Sequence, residues 1–344
     1  MHQISAPLSE LGIDQNSQIT LGFLVFEGFP MACLTSVIEP LRAANEIAGR
    51  DVFRWQVISE TGESTSSSAQ IPFQADLALC DVQRLDMLFL LSEPDGKFAN
   101  PHASNGRLRF LARHGTCVSA VSGGIFPLAR SGLLDRQICS VHWCYRTAFE
   151  AEFPELETTD DVIVLGKNCC TASGAAAAFD LSLHLVELAF GEAAMTEVAC
   201  WFQHPSIRSP GVRQKTPAFQ TDDIADHMPD MVSKAIQLFS DNLEFPLTTR
   251  EVARRVGVSA RHLERSFRQA TGQSPGGYYR LVRLRAARQL VIYTQDPLTS
   301  IAHAVGYTNP TSMSRNYVEH FGSSPRQDRQ DHNRFRVRRD THLN

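Results

Sequence analysis

No stretch of this 344-residue chain approaches 18 consecutive apolar residues. The strongest short run, Leu85 to Leu91, has strand length and contains Asp86. A membrane-spanning helix is therefore excluded, and no membrane partner is expected. The first twelve residues, MHQISAPLSELG, show neither a basic n-region nor an apolar h-region, so no secretory signal is expected. The eight cysteines (33, 80, 117, 139, 144, 169, 170 and 200) include no Cys-x-x-Cys pair. They sit in apolar settings and read as reduced core thiols, which points to the cytoplasm over a disulfide framework. No His, Cys, Asp and Glu cluster has metal-ligand spacing, so no metal is expected. Neither a Gly-x-x-x-x-Gly-Lys-Ser/Thr nor a Gly-x-Gly-x-x-Gly segment occurs, so no nucleotide cofactor is expected. What is present is a globular balance, 43% hydrophobic and 20% charged, in a chain long enough for two domains.

The formal net charge of −4 hides an asymmetry. Residues 231–344 carry 18 Lys and Arg against 9 Asp and Glu, a net of +9, which leaves −13 for the rest. Seventeen of those 18 cations are Arg, the side chain suited to forked contacts with phosphate and guanine. Charge alone fits either a solvated basic surface or a nucleic-acid face confined to the C-terminal part.

The first 200 residues alternate short apolar runs with amphipathic stretches. Strands are expected at Ile19–Phe26, Trp55–Ser59, Met87–Leu91, Thr116–Val121 and Val162–Leu165. Helices are expected at Cys33–Ile47, Asn105–His114, Ile125–Leu134, Trp143–Phe153 and Gly174–Phe190. This order predicts an open, largely parallel α/β sheet. Ligand sensing is assigned to 18–205. Residues 206–229, with several prolines and little periodicity, read as a linker. From 230 to 328 only helices are expected, and 329–344 reads as a basic, disordered tail.

The C-terminal part contains a duplication. Val252-Ala253-x-x-Val256-Gly257 recurs as Ile301-Ala302-x-x-Val305-Gly306, and Leu263, Arg265 and Phe267 recur as Met313, Arg315 and Tyr317. Thr248 and Glu251 have capping-box spacing, Gly257 suits a tight turn, and Ser259 suits the start of a second helix. That helix would bury Leu263, Phe267 and Ala270 and leave Arg261, His262, Arg265 and Arg268 on its free face. A short helix, a glycine turn and a cationic second helix make a helix-turn-helix, whose second helix fits the major groove. The second copy presents Thr308, Asn309, Thr311, Ser312 and Arg315. A helix over Ser274–Tyr293 joins the copies; its expected buried stripe is Tyr278, Leu281, Leu284 and Val291. Together these residues predict binding to a double-stranded DNA operator.

The duplicated pattern resembles the DNA-binding domain of AraC/XylS-type transcriptional regulators, over about 100 residues closing with Phe321-Gly322-Ser323-Ser324-Pro325. Upstream, Leu21–Phe26, Glu39-Pro40-Leu41-Arg42-Ala43-Ala44-Asn45, Ala120-Val121-Ser122-Gly123-Gly124, His142-Trp143 and Ser173–Leu181 resemble the ThiJ/PfpI-like domain of the GlxA-type branch, related to class I glutamine amidotransferases. The resemblance implies a flavodoxin-like, mostly parallel sheet followed by an all-α domain with two helix-turn-helix motifs. It also implies a homodimer formed through the N-terminal domain, contact with RNA polymerase, activation of transcription, and a zwitterionic effector of the arginine, betaine or carnitine type. In those relatives the elbow position is usually Cys, with a Glu beside it and a His downstream. The counterparts here are Ser122, Glu39 and His142.

Three readings of that constellation stay open. Ser122, His142, Trp143 and Glu39 form a small-ligand pocket at the C-terminal ends of the strands, with Trp143 and Glu39 facing an ammonium group. In the alternative, Ser122, His142 and Glu39 form the triad of a hydrolase or amidase. In the third, Ser122 is a turn residue and His142 a structural histidine. A serine at this position, without an aligned base, is a weak nucleophile.

Overall fold

The computed structural model describes residues 18–134, 137–166, 168–204, 206–214, 229–294 and 296–331. The linker residues 215–228 and the tail residues 332–344 lie outside them. The chain divides into two compact units, one ending at Gln214 and the other beginning at Lys215.

In the first unit the elements follow in the order β1 (Ile19–Val25), α1 (Met31–Ala48), β2 (Phe53–Ser59), β3 (Thr65–Ser66), β4 (Pro72–Phe73), β5 (Leu77–Ala78), β6 (Met87–Ser92), α2 (Pro101–Arg113), β7 (Cys117–Ser122) and α3 (Ile125–Arg130). There follow β8 (Cys139–Ser140), α4 (Arg146–Glu152), β9 (Thr158–Thr159), β10 (Ile163–Leu165), β11 (Cys170–Ala172), α5 (Ala175–Phe190) and α6 (Glu192–Trp201). Seven strands form one sheet in the order β10-β11-β7-β6-β1-β2-β5. All its pairings are parallel except the edge pair β10–β11. The core order β2-β1-β6-β7-β11 is that of flavodoxin-like folds.

The strands are where β-branched, aromatic and leucine residues run together. β6 is buried at every position, as a parallel strand covered on both faces must be. Alternation assigns the faces: Met87, Phe89 and Leu91 join Leu21, Phe23 and Val25 in a core with α1, α5 and α6. Phe23 and Phe89 stack there with centroids 5.6 Å apart. α2 and α3 pack on β6 and β7. The short strands β3, β4, β5, β8 and β9 carry too few residues for a period to show. α6 was also missed by the sequence pattern, because only Val198 and Ala199 of its ten residues are buried.

Of the cysteines, 33, 117, 139, 169 and 170 are buried and 144 is half-buried, whereas Cys80 and Cys200 are exposed. The core reading is therefore corrected for those last two. Residues 206–214, read above as linker, hydrogen-bond to the first unit: the Val162 N–H donates to the Val212 carbonyl at 2.7 Å, and Arg213 bridges Asp161.

The second unit contains α7 (Asp230–Ser240), α8 (Thr249–Arg255), α9 (Ala260–Thr271), α10 (Pro275–Tyr293), α11 (Leu298–Ala304) and α12 (Pro310–Phe321). Residues 325–331 are also helical, so the first three residues of the expected tail continue a helix. Two separate small cores result. One gathers Val232, Phe239, Val252, Leu263, Phe267 and Tyr278; the other gathers Leu284, Leu290, Ile301, Met313 and Tyr317. α10 serves both, which is why its buried residues do not trace one stripe: Tyr279, Ala286, Ala287 and Leu290 are buried, and Leu281 is only half-buried. No helix among the described residues is long and apolar enough to cross a membrane.

Candidate nucleic-acid interface and sensor site

The first helix-turn-helix forms through local signals. Thr248 and Glu251 make the reciprocal capping box, in which the Thr248 hydroxyl takes the Glu251 N–H and the Glu251 carboxylate takes the Thr248 N–H at 2.7 Å. These hydrogen bonds hold the Glu251 carboxyl below its ordinary pKa. The turn places Gly257 at φ +78°, a region that side chains disfavour. Ser259 then caps α9 by accepting the His262 N–H at 3.2 Å. Leu263 and Phe267 are buried, while Arg261, Arg265 and Arg268 are exposed and His262 is half-buried.

The second copy repeats the plan with different caps. Gly306 turns at φ +71°, and a Cβ there would lie 2.4 Å from the Leu243 carbonyl oxygen, so both conformation and space require glycine. Asn309 caps α12, its Oδ1 accepting from the Ser312 N–H at 2.9 Å and from the Ser312 hydroxyl at 3.0 Å. Those contacts occupy the Asn309 carbonyl and half-bury Ser312; Thr308, Thr311 and Arg315 are exposed. Met313 and Tyr317 are fully buried at the positions of Leu263 and Phe267. Arg283 was not singled out in the sequence, yet its guanidinium donates to the Val305 carbonyl at 2.7 Å and the Gly306 carbonyl at 2.6 Å, over the Tyr307 ring. No local pattern announces a cap supplied from 22 residues upstream.

In the first unit Ser122 ends β7 at φ +56°, an unusual value for a side-chain-bearing residue and the strained elbow expected of this strand-to-helix turn. Gly123 and Gly124 follow because there is no room: a Cβ on Gly124 would lie 1.9 Å from the Leu90 carbonyl oxygen. β11 runs beside β7, with Ala172 opposite Val121, so residues 173 and 174 emerge next to Ser122. His142 packs against Gly174, where a Cβ would be 3.2 Å from the ring, and its ring lies 5.5 Å from that of Trp143. Ser122, His142 and Trp143 are thus carried to the same end of the sheet.

Glu39 is not brought to them by its hydrogen bonds. It lies half-exposed on α1 and pairs with Arg42 at 3.0 Å. The Ser122 hydroxyl acts instead on the thiol of Cys33, on the buried face of α1, where it offsets part of the effect of burial. Burial pushes that thiol up to about 12, so it is a neutral S–H. At 100° per residue, Cys33 and Glu39 lie about 120° apart around the helix, and only one can face the elbow. His142, for its part, turns Nδ1 to the Cys144 sulfur at 2.8 Å. Ser122, His142 and Glu39 therefore form no hydrogen-bonded triad, which corrects the hydrolase alternative. Among the described residues no cluster of His, Cys, Asp and Glu is arranged to hold a metal ion.

A buried carboxylate that the sequence did not flag lies further along α5. Asp180 is fully buried; its Oδ1 contacts His204 Nε2 at 2.8 Å, and its Oδ2 accepts from Arg208 Nε at 2.6 Å.

Two helix-turn-helix units on one basic segment define a DNA-binding protein. Residues 252–331 match the family described as Helix-turn-helix domain. Over most of its length the chain is similar to curated regulators. It is 31% identical over 314 residues to the HTH-type transcriptional regulator GbdR of Pseudomonas aeruginosa, spanning 90% of this chain and 84% of that one. It is 32% identical over 310 residues to CdhR of the same species, spanning 89% and 90%. A crystal structure of an AraC family transcriptional regulator from Pseudomonas putida covers 54% of this chain and 99% of its own, at 24% identity and TM-score 0.49. The chain belongs to the AraC/XylS-family HTH transcriptional regulators, and its first unit has a flavodoxin-like fold. With regulators matching nine tenths of its length, it is a regulator of transcription and not an enzyme.

Proposed function

We propose that this regulator is of the GlxA type, binds a small zwitterionic amine of the arginine, betaine or carnitine class in its first unit, and activates transcription in response. The observation that carries this reading is the convergence of Ser122, His142 and Trp143 at the C-terminal end of the parallel sheet, where small ligands bind in such folds. The Trp143 ring suits an ammonium group through cation–π contact. Glu39, paired with Arg42, is the weaker member of this set. In the second unit, Arg261, His262, Arg265 and Arg268 of α9 face one stretch of the duplex, and Thr308, Asn309, Thr311, Ser312 and Arg315 face the next. Asn309 and Ser312 set the start of α12 as much as they read bases. α10, 19 residues and about 28 Å long, suits two readers near one duplex turn apart, about 34 Å. A homodimer formed through the first unit, in contact with RNA polymerase, completes the proposal.

Thermal unfolding of the full chain with arginine, glycine betaine, carnitine and related zwitterions tests the effector class. A ligand at 100 times its Kd stabilises by about 2.7 kcal/mol. No stabilisation by any zwitterion, with a clear response to a nucleotide or a sugar, would remove the effector assignment and leave the DNA-binding assignment in place.

A further inference from the structure

We propose that Cys144 fixes His142 as a neutral imidazole protonated on Nε2, and that this Nε2–H is the donor for a carboxylate of the bound ligand. The first half stands on the ring's hydrogen bonds and its burial; the second deepens the sensor reading above and rests on it.

Both hydrogen bonds of the His142 ring among the described residues fall on Nδ1. One joins it to the Cys144 sulfur at 2.8 Å, the other to the Cys144 backbone nitrogen at 3.3 Å. A backbone N–H can only donate, so Nδ1 accepts. Burial pushes the Cys144 thiol up to about 12, so at neutral pH it keeps its proton and can donate as well. Burial also lowers the His142 pKa and favours the uncharged ring. A neutral imidazole that accepts on Nδ1 carries its proton on Nε2.

The Nε2 edge lies beside Gly174, where a Cβ would be 3.7 Å away, and glycine leaves that space without a side chain. The titratable neighbours of the ring are Cys144, which bonds it, and Tyr145, whose ring is 5.4 Å away. Among the described residues no carboxylate bonds the ring, which leaves Nε2–H available to an acceptor on the ligand. The same tautomer explains why His142 does not serve as a base for Ser122: the nitrogen beside the elbow end of the sheet already holds its proton. Cys144 is thus a positioning residue, acting on the ligand through His142.

Long-range proton–nitrogen NMR on the full chain labelled with ¹⁵N-histidine tests the first half, with His142→Gln identifying the signal among the twelve histidines. The expected pattern is a neutral ring protonated on Nε2 in the native protein and in Cys144→Ser, which keeps a donor. Cys144→Ala keeps the backbone donor at 3.3 Å and loses the thiol at 2.8 Å, so the Nδ1-protonated form should gain population without replacing the Nε2 form. A native ring protonated on Nδ1, or a Cys144→Ala spectrum identical to the native one, overturns the assignment.

Titration with glycine betaine and with choline, which share the trimethylammonium group and differ in the carboxylate, tests the second half. Betaine should bind about tenfold or more tightly than choline, as expected for a hydrogen bond to a charged acceptor. Cys144→Ala should weaken that preference and Cys144→Ser should restore it. Equal binding of both, or none, with the Nε2 tautomer intact, would sink the carboxylate role and leave the tautomer standing. A betaine preference undiminished in Cys144→Ala would assign the carboxylate to another donor.

Discussion

The side-chain amide of Gln214 spans the two peptide groups that flank His142. Its Oε1 accepts the Trp143 N–H at 2.9 Å, and its Nε2 donates to the Val141 carbonyl at 2.8 Å. Gln214 is also the last residue described before the chain runs on toward α7. The loop that carries His142 is therefore held by Gln214, at the end of the first unit. Gln214→Ala should leave operator affinity within about twofold while changing the inducer-dependent part of a reporter response severalfold. An unaltered induction curve would show that this contact carries no signal.

Arg265 and Arg315 occupy matching exposed positions in the two helix-turn-helix units. Either one replaced by Ala should cost about 1–3 kcal/mol if it reads a guanine, with relaxed preference at one base pair. If it grips phosphate, binding should weaken evenly across sequences and the salt dependence should become shallower. Anisotropy titrations on operator and mixed-sequence DNA at several salt concentrations separate the two cases. Unchanged affinity in both variants would contradict the interface as drawn.

Gly257 and Gly306 share a left-handed conformation but not their surroundings. A Cβ on Gly257 meets nothing within 4 Å, whereas one on Gly306 meets the Leu243 carbonyl and the Pro246 ring. Gly257→Ala should cost roughly 1–2 kcal/mol, the ordinary penalty for a left-handed side chain. Gly306→Ala should cost clearly more, because backbone must move as well. Chemical denaturation of the two variants in the full chain, followed on the second unit, checks the order. A reversed order would mean that the second turn relaxes freely.

Burial lowers the pKa of His142, so the folded protein binds this proton less readily than the unfolded chain. Stability from this residue is full above the unfolded imidazole value of about 6.5 and falls as pH drops below it. In His142→Gln that share of the acid dependence should disappear. Comparing unfolding midpoints of native and variant protein from pH 7.5 to 5 measures the difference; parallel curves would place the ring in a more solvated setting.

Ser122→Ala removes one hydroxyl, and in a binding site it should shift the inducer curve by about 0.5–1.5 kcal/mol while its plateau persists. Trp143→Ala should weaken the response severalfold through lost cation–π contact and leave non-specific DNA binding intact. Hydrolysis of small esters by the native protein, abolished in Ser122→Ala, would reinstate the triad that the hydrogen bonds argue against.

The helix-turn-helix pair was legible in the sequence because its determinants are local: Thr248 with Glu251, Ser259 before α9, and apolar residues at helical spacing. The strands of the sheet were legible for the same reason, since Met87–Leu91 is apolar throughout. The sensor site was only half legible. The elbow at Ser122 announced itself through its two glycines, but its neighbour on α1 depended on which way that helix faces, and Cys33 carried no signal of its own. The Gln214, Asp180 and Arg283 contacts join residues 22 to 73 positions apart, and nothing in the periodicity of either segment marks them.

Hydroxyl-radical footprinting of the full chain on DNA selected by this protein tests the central claim most directly. Two protected patches on one face of the duplex, centred about one helical turn or 34 Å apart, are predicted. Protection should weaken in one patch with Arg265→Ala and in the other with Arg315→Ala. A single patch that both variants weaken alike, or protection without sequence preference, would contradict a regulator that reads its operator with α9 and α12.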